Sequence, residues 1–205
     1  MKRILHALCV LWLGCLLGTL PVRAAGGEWL ERLQAAVHAL ERYEVQFDLS
    51  TTDGYTASGS CRIAGEHYLI ALPGMQVFCD GSTRYEVNDR TQEVVIDTVH
   101  AASKNLLDNP VRAFDFVGEQ YAVEQTAATA EHVTLRLTPR SGSGAGTEGA
   151  IVLILDRRSA LPVEVVYAAG DLQLAVKIRR FEKSTEPLPA FRKADFPDYE
   201  WIDFR

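Results

Sequence analysis

The sequence predicts a mainly β chain of the α+β class, in which one large antiparallel sheet is covered by two helical segments. Residues 44 to 98 are a near-continuous series of short stretches that alternate apolar and polar side chains, and the pattern resumes from 120 to 181. Turn pairs punctuate the first series at Asp53-Gly54, Gly65-Glu66, Pro73-Gly74, Asp80-Gly81 and Asn88-Asp89. Such pairs accept the positive φ of tight connections, so consecutive strands are expected to pair as hairpins in a meander.

The chain opens on a segment of different character. Lys2 and Arg3 precede an apolar run from Ile4 to Leu20, and Val22-Arg23-Ala24 puts residues that a signal peptidase tolerates at its reading positions. Residues 1–24 are therefore expected to be a cleaved signal peptide. The rival readings are a membrane anchor and a lipoprotein signal at Cys15. Pro21 and the small-residue site argue against the first; Trp12 and the apolar run beyond Cys15 argue against the second. Residues 25–205 are expected to form a single exported domain.

The first helix of that domain is read from its periodicity. Trp29, Leu33, Ala36, Val37 and Leu40 recur on one stripe, with Glu28, Glu31, Arg32, Glu41 and Arg42 mostly opposite. A stripe of this kind lies on the apolar face of a sheet. In the strands that follow, Val45, Phe47, Leu49, Ile63, Tyr68, Ile70, Tyr85 and Val87 are assigned to one apolar face, where a one-residue slip in any strand turns its set outward. A second short helix is expected over Ala102 to Asn109, ended by Pro110. Leu106, Leu107, Val111, Phe114 and Phe116 form a dense apolar cluster around it. Further strands are expected at 120–126, 132–138, 150–156, 162–168 and 171–181. The glycine-rich stretch 140–149 lacks the lysine and following helix of a phosphate loop and reads as a hairpin connection. After Pro187 and Pro189, Tyr199 and Trp201 are expected to return to the sheet.

Composition limits the function. With 47% apolar residues in 205, the chain can bury a substantial core. Loss of the leader leaves 18 of the 21 basic residues against 27 acidic ones, a net charge of −9. Such a surface repels nucleic acid and anionic lipid headgroups. Cys61 and Cys79 remain after cleavage, in a compartment that favours disulfides. A full strand is expected between them, which puts their backbones beyond bridging distance, so both are expected to be free thiols.

Taken in order, the single helix, the strand ending near Phe47, Gly59-Ser-Cys-Arg-Ile63, His67-Tyr-Leu-Ile-Ala-Leu72 and Val77-Phe-Cys-Asp-Gly-Ser-Thr-Arg-Tyr85 resemble the periplasmic outer-membrane lipoprotein carrier (LolA) family. The ending Phe196-Pro-Asp-Tyr-Glu-Trp-Ile-Asp-Phe-Arg205 is similar to that family's closing stretch. The resemblance implies an incomplete antiparallel β-barrel wrapped around an apolar cavity and covered by helices. Its cavity wall falls on the eight strand residues named above, and its lid on Trp29, Leu33, Val37 and Leu40 together with Leu106, Leu107 and Phe114. Lipoprotein acyl chains or another lipid are the implied cargo. An inner-membrane exporter and an outer-membrane acceptor are the implied partners, and the protein itself is expected to be a monomer. The chain departs from the family at Ala64-Gly65-Glu66-His67, where many carriers place an arginine, followed by a proline, that ties the lid closed. Arg62 is offset and is expected on the other face.

No cofactor, metal or catalytic function is expected. His38, His67, His100 and His132 show no metal-ligating spacing, and neither Ser nor Cys lies in a nucleophile elbow. The alternative to a carrier is an envelope ligand-binding or sensor module built on the same half-barrel.

Overall fold

The computed structural model describes residues 22–99, 111, 115, 117–140, 149–169 and 171–205. The expected leader, the expected helix at 102–109 and most of the stretch at 140–149 lie largely or wholly outside them. Helix α1 (Val22–His38) leads into β1 (Arg42–Thr51), β2 (Thr56–Ala64), β3 (His67–Leu72), β4 (Met75–Asp80), β5 (Thr83–Asn88) and β6 (Glu93–Thr98). A single turn, α2 (Val117–Gln120), precedes β7 (Tyr121–Ala128), β8 (His132–Pro139), β9 (Ala150–Asp156), β10 (Pro162–Ala169) and β11 (Leu172–Lys183). The tail ends in β12 (Glu200–Asp203).

All twelve strands form one sheet, ordered β12-β6-β5-β4-β3-β2-β1-β11-β10-β9-β8-β7. Its two edges do not meet, so it is an open half-barrel. Every pairing is antiparallel except β12 with β6. Register shifts at Gln46/Phe47, Gln125/Ala127 and Pro162/Glu164 mark bulges, which bend strands and suit a curved sheet. The turn chemistry is as expected from the sequence. Gly74 and Gly81 adopt φ of 74° and 89°, and the Asp80 carboxylate accepts from the backbone N–H groups of Ser82 and Thr83.

The concave face carries the main core. Trp29, Leu30, Leu33 and Val37 of α1 pack with Leu135, Leu137, Ile151, Leu153 and Leu155 of β8 and β9, and with Tyr43, Ile63 and Tyr68 from the other half of the sheet. The helix begins against β7, where a Cβ on Gly26 would stand 2.9 Å from the Val123 carbonyl oxygen. It ends over the β2–β3 hairpin, where the Gly65 N–H donates to the Glu41 carbonyl at 3.4 Å.

A second core lies on the convex face. Leu69, Phe78, Val87, Val94 and Ile96 are buried there, and Tyr85, Leu188, Phe191, Phe196, Tyr199 and Trp201 pack against them. Phe191 stacks on Tyr85 with ring centroids 4.1 Å apart and meets Phe78 and Trp201 edge-on. Tyr199 and Trp201 return to the sheet as expected. Replacing Phe191 with Ala removes the ring shared by all these contacts, and it is expected to cost about 2 to 3 kcal/mol. Urea unfolding followed by circular dichroism measures it.

Candidate functional site

Pairing registers decide which side chains line the concave face. Tyr43, Val45, Phe47 and Leu49 of β1 stand opposite Ile63, Cys61, Gly59 and Ala57 of β2. Tyr68 and Ile70 follow on β3, and Cys79 and Val77 on β4. The row nearest the end of α1, made of Tyr43, Ile63, Tyr68 and Cys79, is buried. In the rows beyond it only Val77 is equally buried. Val45, Phe47, Leu49, Cys61, Ile70, Leu72 and Met75 are half-buried, as are Val176 and Ile178 of β11. Together they make an apolar floor on the half of the sheet that α1 leaves open.

Phe47 sits at the centre of this floor beside a built gap. A Cβ on its cross-strand partner Gly59 would stand 2.8 Å from the Phe47 Cζ and 2.6 Å from Leu72 Cδ2. The glycine is therefore the space into which both side chains lean.

Six of the eight strand residues named for the wall occupy this face: Val45, Phe47, Leu49, Ile63, Tyr68 and Ile70. Tyr85 and Val87 do not, and their assignment is corrected here. Cys79 pairs with Arg84 and Phe78 with Tyr85, so the β4–β5 hairpin puts Arg84 and Glu86 on the concave side and Tyr85 and Val87 on the convex side. The signal was present in the unbroken apolar runs at 68–72 and 77–79, which mark strands buried on both faces. Of the residues named for the lid, Trp29, Leu33 and Val37 are in the main core and Leu40 packs against it. Leu106, Leu107 and Phe114 lie outside the described residues. Val111 packs against the main core, and the His38 Nε2 is 2.9 Å from Asp115 Oδ1, which ties Asp115 to the end of α1. Arg62 lies on the convex side, 3.6 Å from Glu186.

Sequence reasoning missed the polar corner of the concave face. Arg84 Nη2 is 2.8 Å from Glu86 Oε2, and Asp97 stands opposite Arg84 on β6. Elsewhere the face offers little chemistry. Among the described residues no group of three or more His, Cys, Asp or Glu could hold a metal ion, and no helix is long and apolar enough to cross a membrane.

No protein-family model matches this chain, and neither does any curated protein. Solved structures resemble it in fold. An uncharacterized conserved protein from Thermus thermophilus aligns with a TM-score of 0.54 at 11% identity, over 87% of this chain and 99% of that one. Lipoprotein LppX from Mycobacterium tuberculosis aligns at 0.48 and 11% identity, over 82% and 99%. A putative outer membrane lipoprotein-sorting protein domain from Vibrio parahaemolyticus aligns at 0.46 and 9% identity, over 85% and 97%. At these identities the likeness is one of fold. The open half-barrel covered by α1 is the incomplete antiparallel barrel expected from the sequence.

Cys61 and Cys79 are both free, on strands separated by β3. Burial pushes the Cys61 thiol up to about 12, so little of it is thiolate at neutral pH. Native Cys61 is expected to react with iodoacetamide more slowly than a solvent cysteine throughout pH 7 to 9. In the denatured, unreduced protein both cysteines are expected to alkylate fully, which mass spectrometry reads directly.

Proposed function

We propose that this protein is a periplasmic, non-enzymatic carrier that shields lipoprotein acyl chains on the open half of its concave face and passes them from the inner to the outer membrane. An inner-membrane exporter loads it and an outer-membrane acceptor unloads it. The observation that carries the reading is the half-buried apolar floor around Phe47. Each methylene withdrawn from water contributes about 0.8 kcal/mol, so an acyl chain cannot cross an aqueous space without such a cover. The residue order from Gly59 to Tyr85 that resembles the lipoprotein carriers supports the same reading, and the signal-like leader supports the compartment.

In this proposal α1 is a fixed wall of the cavity rather than a displaceable lid. Trp29, Leu30, Leu33 and Val37 are 8%, 5%, 0% and 6% exposed. Returning four such side chains to water costs about 1.5 to 3 kcal/mol each, which together approaches the whole stability of a domain. Cargo therefore enters over the rim formed by Leu49, Leu72 and Met75.

Native mass spectrometry of protein purified from its own periplasm without detergent is expected to show a bound lipoprotein or lipid. Phe47→Glu puts a charge on the floor and is expected to abolish displacement of a fluorescent apolar probe by acylated peptide. Circular dichroism checks that the variant remains folded, and a folded Phe47→Glu protein with full binding would contradict the site.

A further inference from the structure

The buried end of the apolar floor holds two polar groups, next to one another and to Cys79, that make no hydrogen bond of good geometry. Tyr68 is 1% exposed and its hydroxyl has no partner at hydrogen-bonding geometry; the Arg84 Nε is likewise buried and unpartnered. They belong to one concave row, since Tyr68 pairs with Cys79 and Cys79 with Arg84, and the guanidinium lies beside the phenol. Cys79 between them is already engaged. Its Sγ donates to the Glu66 carbonyl at 3.7 Å and accepts from the Gly81 N–H at 3.3 Å. Burial, first, and the Cys79 charge, second, push the Tyr68 hydroxyl up, so it keeps its proton and can donate.

A buried donor left unsatisfied is costly, and native structures keep few of them. Two in one corner, at the inner end of an apolar floor, fit an acceptor that arrives with a ligand. The charge around them selects the kind of acceptor. Glu86 holds the outer nitrogen of the guanidinium at 2.8 Å, and Asp97 stands opposite Arg84. One cation between two carboxylates does not favour a third anion. An uncharged carbonyl oxygen takes both donors and meets no repulsion.

We propose that Tyr68 and Arg84 form a carbonyl-binding corner that takes the ester group of an acyl chain lying on the Phe47 floor. This rests on the lipid-carrier reading and narrows its ligand to acyl esters rather than free fatty acids or plain alkyl chains.

The test compares two ligands that differ only in their carbonyls. Dioctanoylglycerol and its dioctyl ether analogue are each used to displace N-phenylnaphthylamine from the full chain. Wild type is expected to bind the diester about tenfold more tightly than the diether. Tyr68→Phe is expected to bring that ratio close to one by weakening the diester alone. Arg84→Lys keeps a cation for Glu86, loses the Nε–H, and is expected to lower the ratio as well. Because the Tyr68 hydroxyl makes no hydrogen bond of good geometry to Cys79 or Arg84, Tyr68→Phe is also expected to leave the melting temperature unchanged or higher. Equal binding of diester and diether by wild type overturns the corner and leaves the carrier reading standing. A Tyr68→Phe variant that melts lower while keeping the wild-type ratio assigns the hydroxyl to structure and overturns the corner too. Failure of both ligands to displace the probe removes the carrier reading and the corner together.

Discussion

The seat of α1 on the sheet is the constraint on which the rest of the molecule depends. Gly26 lets the helix backbone come so close to β7 that a Cβ there would stand 2.9 Å from the Val123 carbonyl oxygen. From that anchor the helix runs to the β2–β3 hairpin, and its stripe buries Leu33 completely. One short helix cannot cover twelve strands. It seals β8 and β9, where Leu135, Leu137 and Leu155 are fully buried, and beyond the buried row of Tyr43, Ile63, Tyr68 and Cys79 it leaves most apolar side chains of β1 to β4 and β11 only half covered. The apolar floor is thus the part of a large sheet that α1 does not reach.

The sheet tolerates this because a second layer stabilises the same strands from behind. The tail crosses the convex side, and Phe191 joins Tyr85, Phe78, Phe196 and Trp201 in one aromatic cluster. The chain is then pinned by β12 against β6 and by the Phe204 N–H donating to the Ile96 carbonyl at 2.9 Å. Strands β3 to β6 therefore keep a buried convex face whatever occupies the concave one. The uptake and release of a ligand proposed for this floor would draw on such independent support.

Much of this was legible in the residues. The stripe Trp29, Leu33, Val37 and Leu40 reports the helix, and the Asp-Gly and Pro-Gly pairs report the hairpins, because these are local properties of period and turn chemistry. The faces of β1, β2 and β3 were legible for the same reason, since their alternation is clean. Tyr85 and Val87 were misread because β5 alternates equally well for either face. Only its pairing register with β4, together with an aromatic tail more than a hundred residues later, decides which side is buried. The corner at Tyr68 and Arg84 was illegible altogether. It joins β3 to β5 across Cys79, and nothing in either strand alone shows that the phenol and the guanidinium meet there.

Photo-crosslinking with a diacylglycerol that carries a diazirine in its acyl chain tests the central claim most directly, because it reports where the chain lies. If the open half of the concave face is the acyl site, labels map to residues 45–49, 59–61, 70–77 and 176–178, and competing unlabelled diester suppresses them. Labelling of the convex residues Val152, Ile154 and Val166 at equal yield, or labelling that unlabelled diester does not suppress, would contradict it.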